Sequence, residues 1–259
     1  MEKSSKEQNL RFSFKLLPRI TLAAVGLVFA TLILSPPIIL ISLIISSGRP
    51  AYRIMVWWAR CVSKCMGLSF SLHGAEKIVP GTSYIVTPNH QGNADILALV
   101  TTLPLRFRWV IKKELLKIPL FGQALGGTGA ISIDRSDSQK AVKSLQEGTE
   151  KLKGGWSVLI YPEGTRSSDE NLQPFKKGAF MMAVQTGIPI LPVTCNGAFR
   201  ILPKKTIVFR PGHIEVRVGD PITTEGLTEQ DVPALMEKTR NTIQGNLNTD
   251  YDPFRRNRR

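Results

Sequence analysis

The stretch "SYIVTPNHQGNADILALVTTL", residues 83–103, changes its period halfway along. Ser83–Thr87 reads as a strand, and Pro88 stops it because proline has no amide to give to a ladder. From near Ala94 the apolar residues return at helical spacing through Ile96–Leu103, with Asn93 suited to cap that helix. Strand, short loop and helix in succession make the building unit of an α/β domain. His90, one of three histidines in the chain, falls in the loop, and Asp95 falls in the first helical turn. Five residues along a continuous helix would turn two side chains about 140° apart, so the pair meets only if the loop folds back, which Gly92 permits. The helix dipole would then favour an anionic Asp95, accepting a hydrogen bond from one imidazole nitrogen and leaving the other free to take a proton. The same spacing also fits a loop histidine unconnected with the aspartate.

Outward from this unit the pattern repeats. Strands are expected at Phe107–Ile111, Ala130–Asp134, Val158–Tyr161 and Ile190–Thr194, and helices at Gln139–Lys153, Gly178–Thr186 and Glu229–Leu247. The last helix opens with the capping pattern Thr228-x-x-Asp231. "TIVFRPGHIEVRVGD", residues 206–220, alternates around Pro211-Gly212 and reads as an edge hairpin holding His213, while His73 falls in a polar turn. The expected fold is α/β, a mixed, largely parallel sheet flanked by helices, occupying residues 67–259.

Residues 1–66 read differently. From Ile20 to Gly48 there is no charged residue, which is long enough for a membrane-crossing helix. Pro36-Pro37 divides the run, so it can be a kinked spanning helix or a helical hairpin dipping into one leaflet. Cationic residues flank both ends, Lys15 and Arg19 before it and Arg49 and Arg53 after it, which favours the membrane-anchoring hairpin with both ends cytoplasmic. No small-residue cleavage site follows, against a signal peptide. The net charge of +14 on 259 residues implies an anionic partner: nucleic acid, phosphorylated metabolite or membrane surface. Three cysteines without a CxxC pair or zinc-like spacing point to a reduced, cytosol-facing chain with no metal site.

Two further segments place chemistry at strand ends, where α/β sheets bind ligands. "VLIYPEGTRS", residues 158–167, runs from a strand into Glu163, Gly164 and Arg166; "GTGAISIDRS", residues 127–136, delivers Arg135 in the same way. Two arginines at strand ends outline an anion site, since a guanidinium grips phosphate bidentately. Taken with "NHQGNAD", these segments resemble the glycerophospholipid acyltransferase family, closest to the 1-acyl-sn-glycerol-3-phosphate acyltransferases. The histidine, four arbitrary residues and aspartate come first, followed in order by "GAISIDR", "YPEGTRS" and "ILPV", over about residues 80–200. The resemblance implies that His90 is the general base and Asp95 its orienting partner. It puts Arg135, Glu163, Gly164 and Arg166 at acceptor-binding positions and Pro192 at the fourth-block proline. "IKKELLKIP" looks like the family's lysine segment, implying Lys112, or Lys113 beside it, as a phosphate ligand.

The residues support this chemistry without the family name. A histidine base suffices for direct attack of a hydroxyl on a thioester; the chain has no G-x-S-x-G elbow, and no acyl-enzyme or cofactor is expected. The implied donor is acyl-CoA or acyl-acyl carrier protein, the acceptor lysophosphatidic acid at its sn-2 hydroxyl, and the product phosphatidic acid, a step of phospholipid biosynthesis. Membrane lipids are the expected surroundings, with the catalytic domain on the cytoplasmic side of the inner membrane, and nucleic acid is not an expected partner. Two other enzymatic readings use the same dyad: acylation of another lysolipid such as a lyso-ornithine lipid, and hydrolysis of an acyl ester. A membrane-attached binding module is a third reading, against which stands the absence of a nucleic-acid motif.

Overall fold

The computed structural model describes residues 17–255 apart from 46, 134–154, 205 and 207. The first element among the described residues is α1, Leu17–Ile44, followed across a short turn by α2, Arg49–Met66. At 28 residues and a mean hydropathy of 2.5, α1 is long and apolar enough to cross a membrane. The expected break at Pro36-Pro37 does not occur, because the helix continues through both prolines. A proline ring has helical φ, and the lost amide bonds are offset where the following residues pack. Here Ile38 and Ser42 lie against Gly127. The chain reverses later, at Gly48 (φ 68), and the arms run antiparallel: Trp58 Nε1 donates to Thr31 Oγ1 (3.1 Å) and Gly26 abuts Cys65.

The second arm is amphipathic. Tyr52, Met55, Ala59, Val62 and Met66 are buried, at the three- and four-residue spacing of one helical face, while Arg53, Trp57, Arg60 and Lys64 are exposed. The buried face joins the main apolar core.

Among the described residues seven strands then form one sheet, in the order β1-β7-β6-β2-β5-β3-β4. They are β1 (Leu68–His73), β2 (Ile85–Pro88), β3 (Phe107–Lys112), β4 (Ile131–Ile133), β5 (Ser157–Leu159), β6 (Ile190–Asn196) and β7 (Gly212–Val218). Every neighbouring pair is parallel except β6–β7, which makes the sheet mixed and largely parallel. Among the described residues the helices between strands are α3 (Ala94–Thr102), α4 (Phe121–Gly127), α5 (Gly178–Thr186), the single turn α6 (Ala198–Ile201) and, near the end, α7 (Val232–Asn246).

Both faces of the sheet are covered, as parallel strands require. Val86, Leu159 and Leu191 point into a core shared with α2 and α3. Their neighbours Ile85, Val158 and Ile190 point into a second core shared with α5 and α7. The helix expected at Gln139–Lys153 lies outside the described residues.

Two further expectations are corrected. Pro211-Gly212 does not turn a hairpin: the residues described between Ile201 and Gly212 form no strand, and β7 pairs instead with β6 and, in parallel, with β1. Alternation reveals that a strand has two faces but does not identify its partner. His73 is not in a turn but ends β1, where Leu68, Phe70 and Leu72 pack on the core and Ser69, Ser71 and His73 alternate with them.

Candidate active site

The register of β2 with β5 builds the site. Ile85 pairs with Val158 and Val86 with Leu159, and carrying that register past both strand ends brings His90 level with Glu163. The contact is realised: the His90 amide donates to Glu163 Oε1 at 2.6 Å. Below them Asn89 is fully buried, its Nδ2 donating to the Cys195 carbonyl (3.0 Å) and its Oδ1 accepting the Cys195 amide (2.7 Å). This side chain ties the histidine loop to β6. Asn89→Ala leaves two buried backbone groups of Cys195 unpaired and should lower the unfolding free energy by about 2–4 kcal/mol, read from a denaturant midpoint.

The loop folds back as Gly92 allows. A Cβ there would sit 2.6 Å from the Leu202 carbonyl and 2.7 Å from that of Ala198, so only glycine lets the chain pass α6. Asp95, in the first turn of α3 and fully buried, receives four donors. Its Oδ2 accepts His90 Nδ1 (3.0 Å), the Gln91 amide (3.0 Å) and the Gly92 amide (3.1 Å); its Oδ1 accepts the Tyr161 hydroxyl (2.8 Å). Asn93 makes no side-chain cap; the aspartate collects the loop amides instead. Because Nδ1 faces a carboxylate, the hydrogen belongs on Nδ1 and the lone pair on Nε2. Among the described residues Nε2 has no partner. Tyr161 stacks on the imidazole at 3.7 Å between ring centres. Burial first, then the Asp95 charge, hold its phenol well above the ordinary 10.0, so it remains a donor that fixes both ring and carboxylate.

Glu163 is likewise enclosed. Besides the His90 amide it accepts Ser167 Oγ (2.7 Å) and the Gln173 amide (2.9 Å) on Oε2. Burial raises its carboxyl above the ordinary 4.5, and those three donors oppose the rise. Gly164 takes φ 69, with the Lys176 side chain against the place a Cβ would occupy. Arg166 follows, half-buried, its guanidinium without a hydrogen bond or ion pair among the described residues. Lys204 holds that loop from outside, donating to Thr165 Oγ1 and the Arg166 carbonyl, both at 3.0 Å.

His90, Asp95, Glu163, Gly164 and Arg166 are therefore brought together. Lys112 ends β3, exposed, with Nζ 3.4 Å from Glu114 Oε1, and makes no contact with the dyad. Arg135 lies outside the described residues. Sequence reasoning missed Tyr161, Asn89, Lys176 and Lys204. The first two adjoin motif residues and could have been found; Lys176 and Lys204 reach the loop from later segments with no local signal. Among the described residues no group of histidine, cysteine and acidic side chains could hold a metal ion.

A family model described as Acyltransferase matches residues 69–196. The chain is 36% identical over 178 residues to human 1-acyl-sn-glycerol-3-phosphate acyltransferase alpha, covering 68% of this chain and 63% of that one. It is 33% identical over 201 residues to the human beta protein, covering 76% and 72%. To the Saccharomyces cerevisiae 1-acyl-sn-glycerol-3-phosphate acyltransferase it is 37% identical over 196 residues, covering 73% and 64%. It thus spans a little under two thirds of the alpha relative's length. The crystal structure of the 1-acyl-sn-glycerophosphate (LPA) acyltransferase PlsC from Thermotoga maritima shares the fold, with a TM-score of 0.74 at 24% identity, over 89% of this chain and 95% of that one. Strand register, dyad and relatives converge: the chain belongs to the 1-acyl-sn-glycerol-3-phosphate acyltransferase family.

Proposed function

We propose that the protein transfers a fatty acyl group from a thioester, acyl-CoA or acyl-acyl carrier protein, to the sn-2 hydroxyl of 1-acyl-sn-glycerol-3-phosphate, giving phosphatidic acid. The observation that carries this reading is the His90 Nδ1–Asp95 Oδ2 contact, which leaves an unengaged Nε2 at the carboxyl ends of β2 and β5. Nε2 takes the hydroxyl proton as the acceptor oxygen attacks the thioester carbonyl. Collapse of the tetrahedral adduct breaks the C–S bond, and the proton passes to the departing sulfur. Asp95 and Tyr161 hold the imidazole throughout. No enzyme nucleophile is required, and Cys195, whose thiol burial pushes well above the ordinary 9.0, is poorly suited to be one.

Arg166 takes the acceptor's phosphate, assisted by Lys112 and Arg135. Glu163, with both oxygens engaged by protein donors, acts as a positioning residue: it joins the histidine loop to the arginine loop. Residues 1–66 serve as membrane anchor and juxtamembrane helix and 67–259 as catalytic domain, on the cytoplasmic face of the inner membrane.

Arg166→Lys should raise KM for lysophosphatidic acid by about tenfold to a hundredfold, a loss of roughly 1.5–3 kcal/mol, because an ammonium cannot pair bidentately with phosphate. The constants for the acyl donor and for a lysolipid without phosphate should hardly move. Steady-state rates on the two acceptors check this, and equal losses on both would remove the phosphate assignment.

A further inference from the structure

We infer that the turn from Lys112 to Pro119 is a second membrane-contact surface, seating beside the apolar anchor on a bilayer that carries anionic lipid. The inference rests on the membrane-bound reading above but not on the reaction.

β3 ends at Lys112 and continues as a 3-10 turn, Lys113–Lys117. One apolar side chain of this turn, Leu116, packs on the core. Leu115 and Ile118 stand 38% and 44% exposed, and the lysines on either side, Lys113 and Lys117, are exposed as well. Single exposed aliphatic residues are ordinary on a protein surface, but three further observations separate this turn from that background.

First, the display is built in. Leu120, just after the turn, is the one non-glycine residue with positive φ (61) among the described residues, a conformation that persists only where its surroundings impose it. Its amide donates to Gln123 Oε1 at 2.8 Å, and Gly122 presses so closely on the turn that a Cβ would lie 2.3 Å from the Leu116 carbonyl. The backbone is thus strained and pinned in a form that keeps Leu115 and Ile118 facing outward.

Second, α4 joins the turn to the anchor, with Gly122 against the turn and Gly127 against α1. Through α4, whose Gly127 meets Ser42 and Ile38, the turn adjoins the end of α1 that exposes Leu40 (60%), Leu43 (79%) and Ile44 (83%). An apolar patch of this kind beside an apolar helix marks an interaction surface rather than scattered exposure.

Third, the charge fits one occupant. Lys112, Lys113 and Lys117 outnumber Glu114, on a chain of net charge +14. Aliphatic tips between lysines are the composition of a segment that dips its apolar side chains beneath anionic headgroups.

The test uses the full chain with Cys61→Ser and Cys65→Ser, leaving the buried Cys195, and single cysteines replacing Leu115, Ile118 or Val79. Val79 is the control, being 57% exposed but in the loop after β1. Each is labelled with an environment-sensitive fluorophore and floated with phosphatidylcholine–phosphatidylglycerol vesicles bearing a quencher on their acyl chains. Labels at 115 and 118 should shift to shorter wavelength and lose most of their emission to the quencher, while the label at 79 keeps its aqueous emission. In vesicles of phosphatidylcholine alone the quenching should weaken. Flotation with 115 and 118 unquenched would overturn this inference alone, and equal quenching in both vesicle types would overturn the choice of an anionic surface. A chain that does not float at all would overturn the membrane-bound reading from which the inference starts.

Discussion

His90→Ala should lower turnover by about 10²–10⁴-fold, the range a positioned general base supplies, while the unfolding midpoint stays close to that of the parent. The two effects separate because of where the ring sits. Its imidazole is held by one hydrogen bond to Asp95 and by stacking on Tyr161, whereas the loop is held by main-chain contacts that alanine keeps. The amide of residue 90 still reaches Glu163, and its carbonyl still accepts the Ser167 amide at 2.8 Å. KM for both substrates should change little, since the ring acts on the transferring proton rather than on binding. Turnover and a denaturation curve on one preparation decide the matter; near-parental turnover would end the general-base assignment.

Asp95→Asn should cost about as much in turnover, roughly 10²–10⁴-fold, by the route of an uncharged carboxamide that cannot stabilise the imidazolium formed as the proton moves. Unlike the histidine change it should also destabilise the fold. Oδ2 gathers three donors and Oδ1 one. An amide oxygen can replace the first of these oxygens, its NH₂ then turning toward Tyr161, and three hydrogen bonds to a charged group become weaker neutral ones. The expected loss is about 1–3 kcal/mol. If thermal unfolding moves while single-turnover rates do not, the carboxylate organises the loop and contributes nothing to the proton transfer.

The parts of this account legible in the sequence are those with a local cause. Gly178–Thr186 was readable at its C-terminal end because Gly187 takes a left-handed conformation just beyond it, and Thr228 donates from both its amide and its hydroxyl to Asp231 Oδ2, capping the 3-10 turn Glu229–Asp231 that leads into α7. The histidine–aspartate pairing was readable as a possibility, since a glycine-containing loop before a helix can fold back; the buried carboxylate with four donors was not. What failed depended on partners distant in the chain. Pro36-Pro37 is a helix breaker in isolation, and neighbours around Gly127 and along α2 keep that helix continuous. β7 alternates as a hairpin arm would, yet its second partner is β1, residues 68–73, a short serine-rich strand whose own alternation is too brief to stand out. Tyr161 was hidden inside a motif read for its glutamate and arginine, and Lys204 reaches the Arg166 loop from a segment beyond the residues that the family model matches.

His90 is proposed to drive direct transfer from a thioester to the hydroxyl of a phosphate-bearing lysolipid. The decisive measurement gives the purified chain in detergent a labelled acyl-CoA with lysophosphatidic acid and identifies the labelled products by mass spectrometry. The parent chain should form labelled phosphatidic acid, lost in His90→Ala, with free fatty acid at the uncatalysed level. Labelled free fatty acid in place of phosphatidic acid, or equal acylation of lysolipids with and without phosphate, would contradict this proposal.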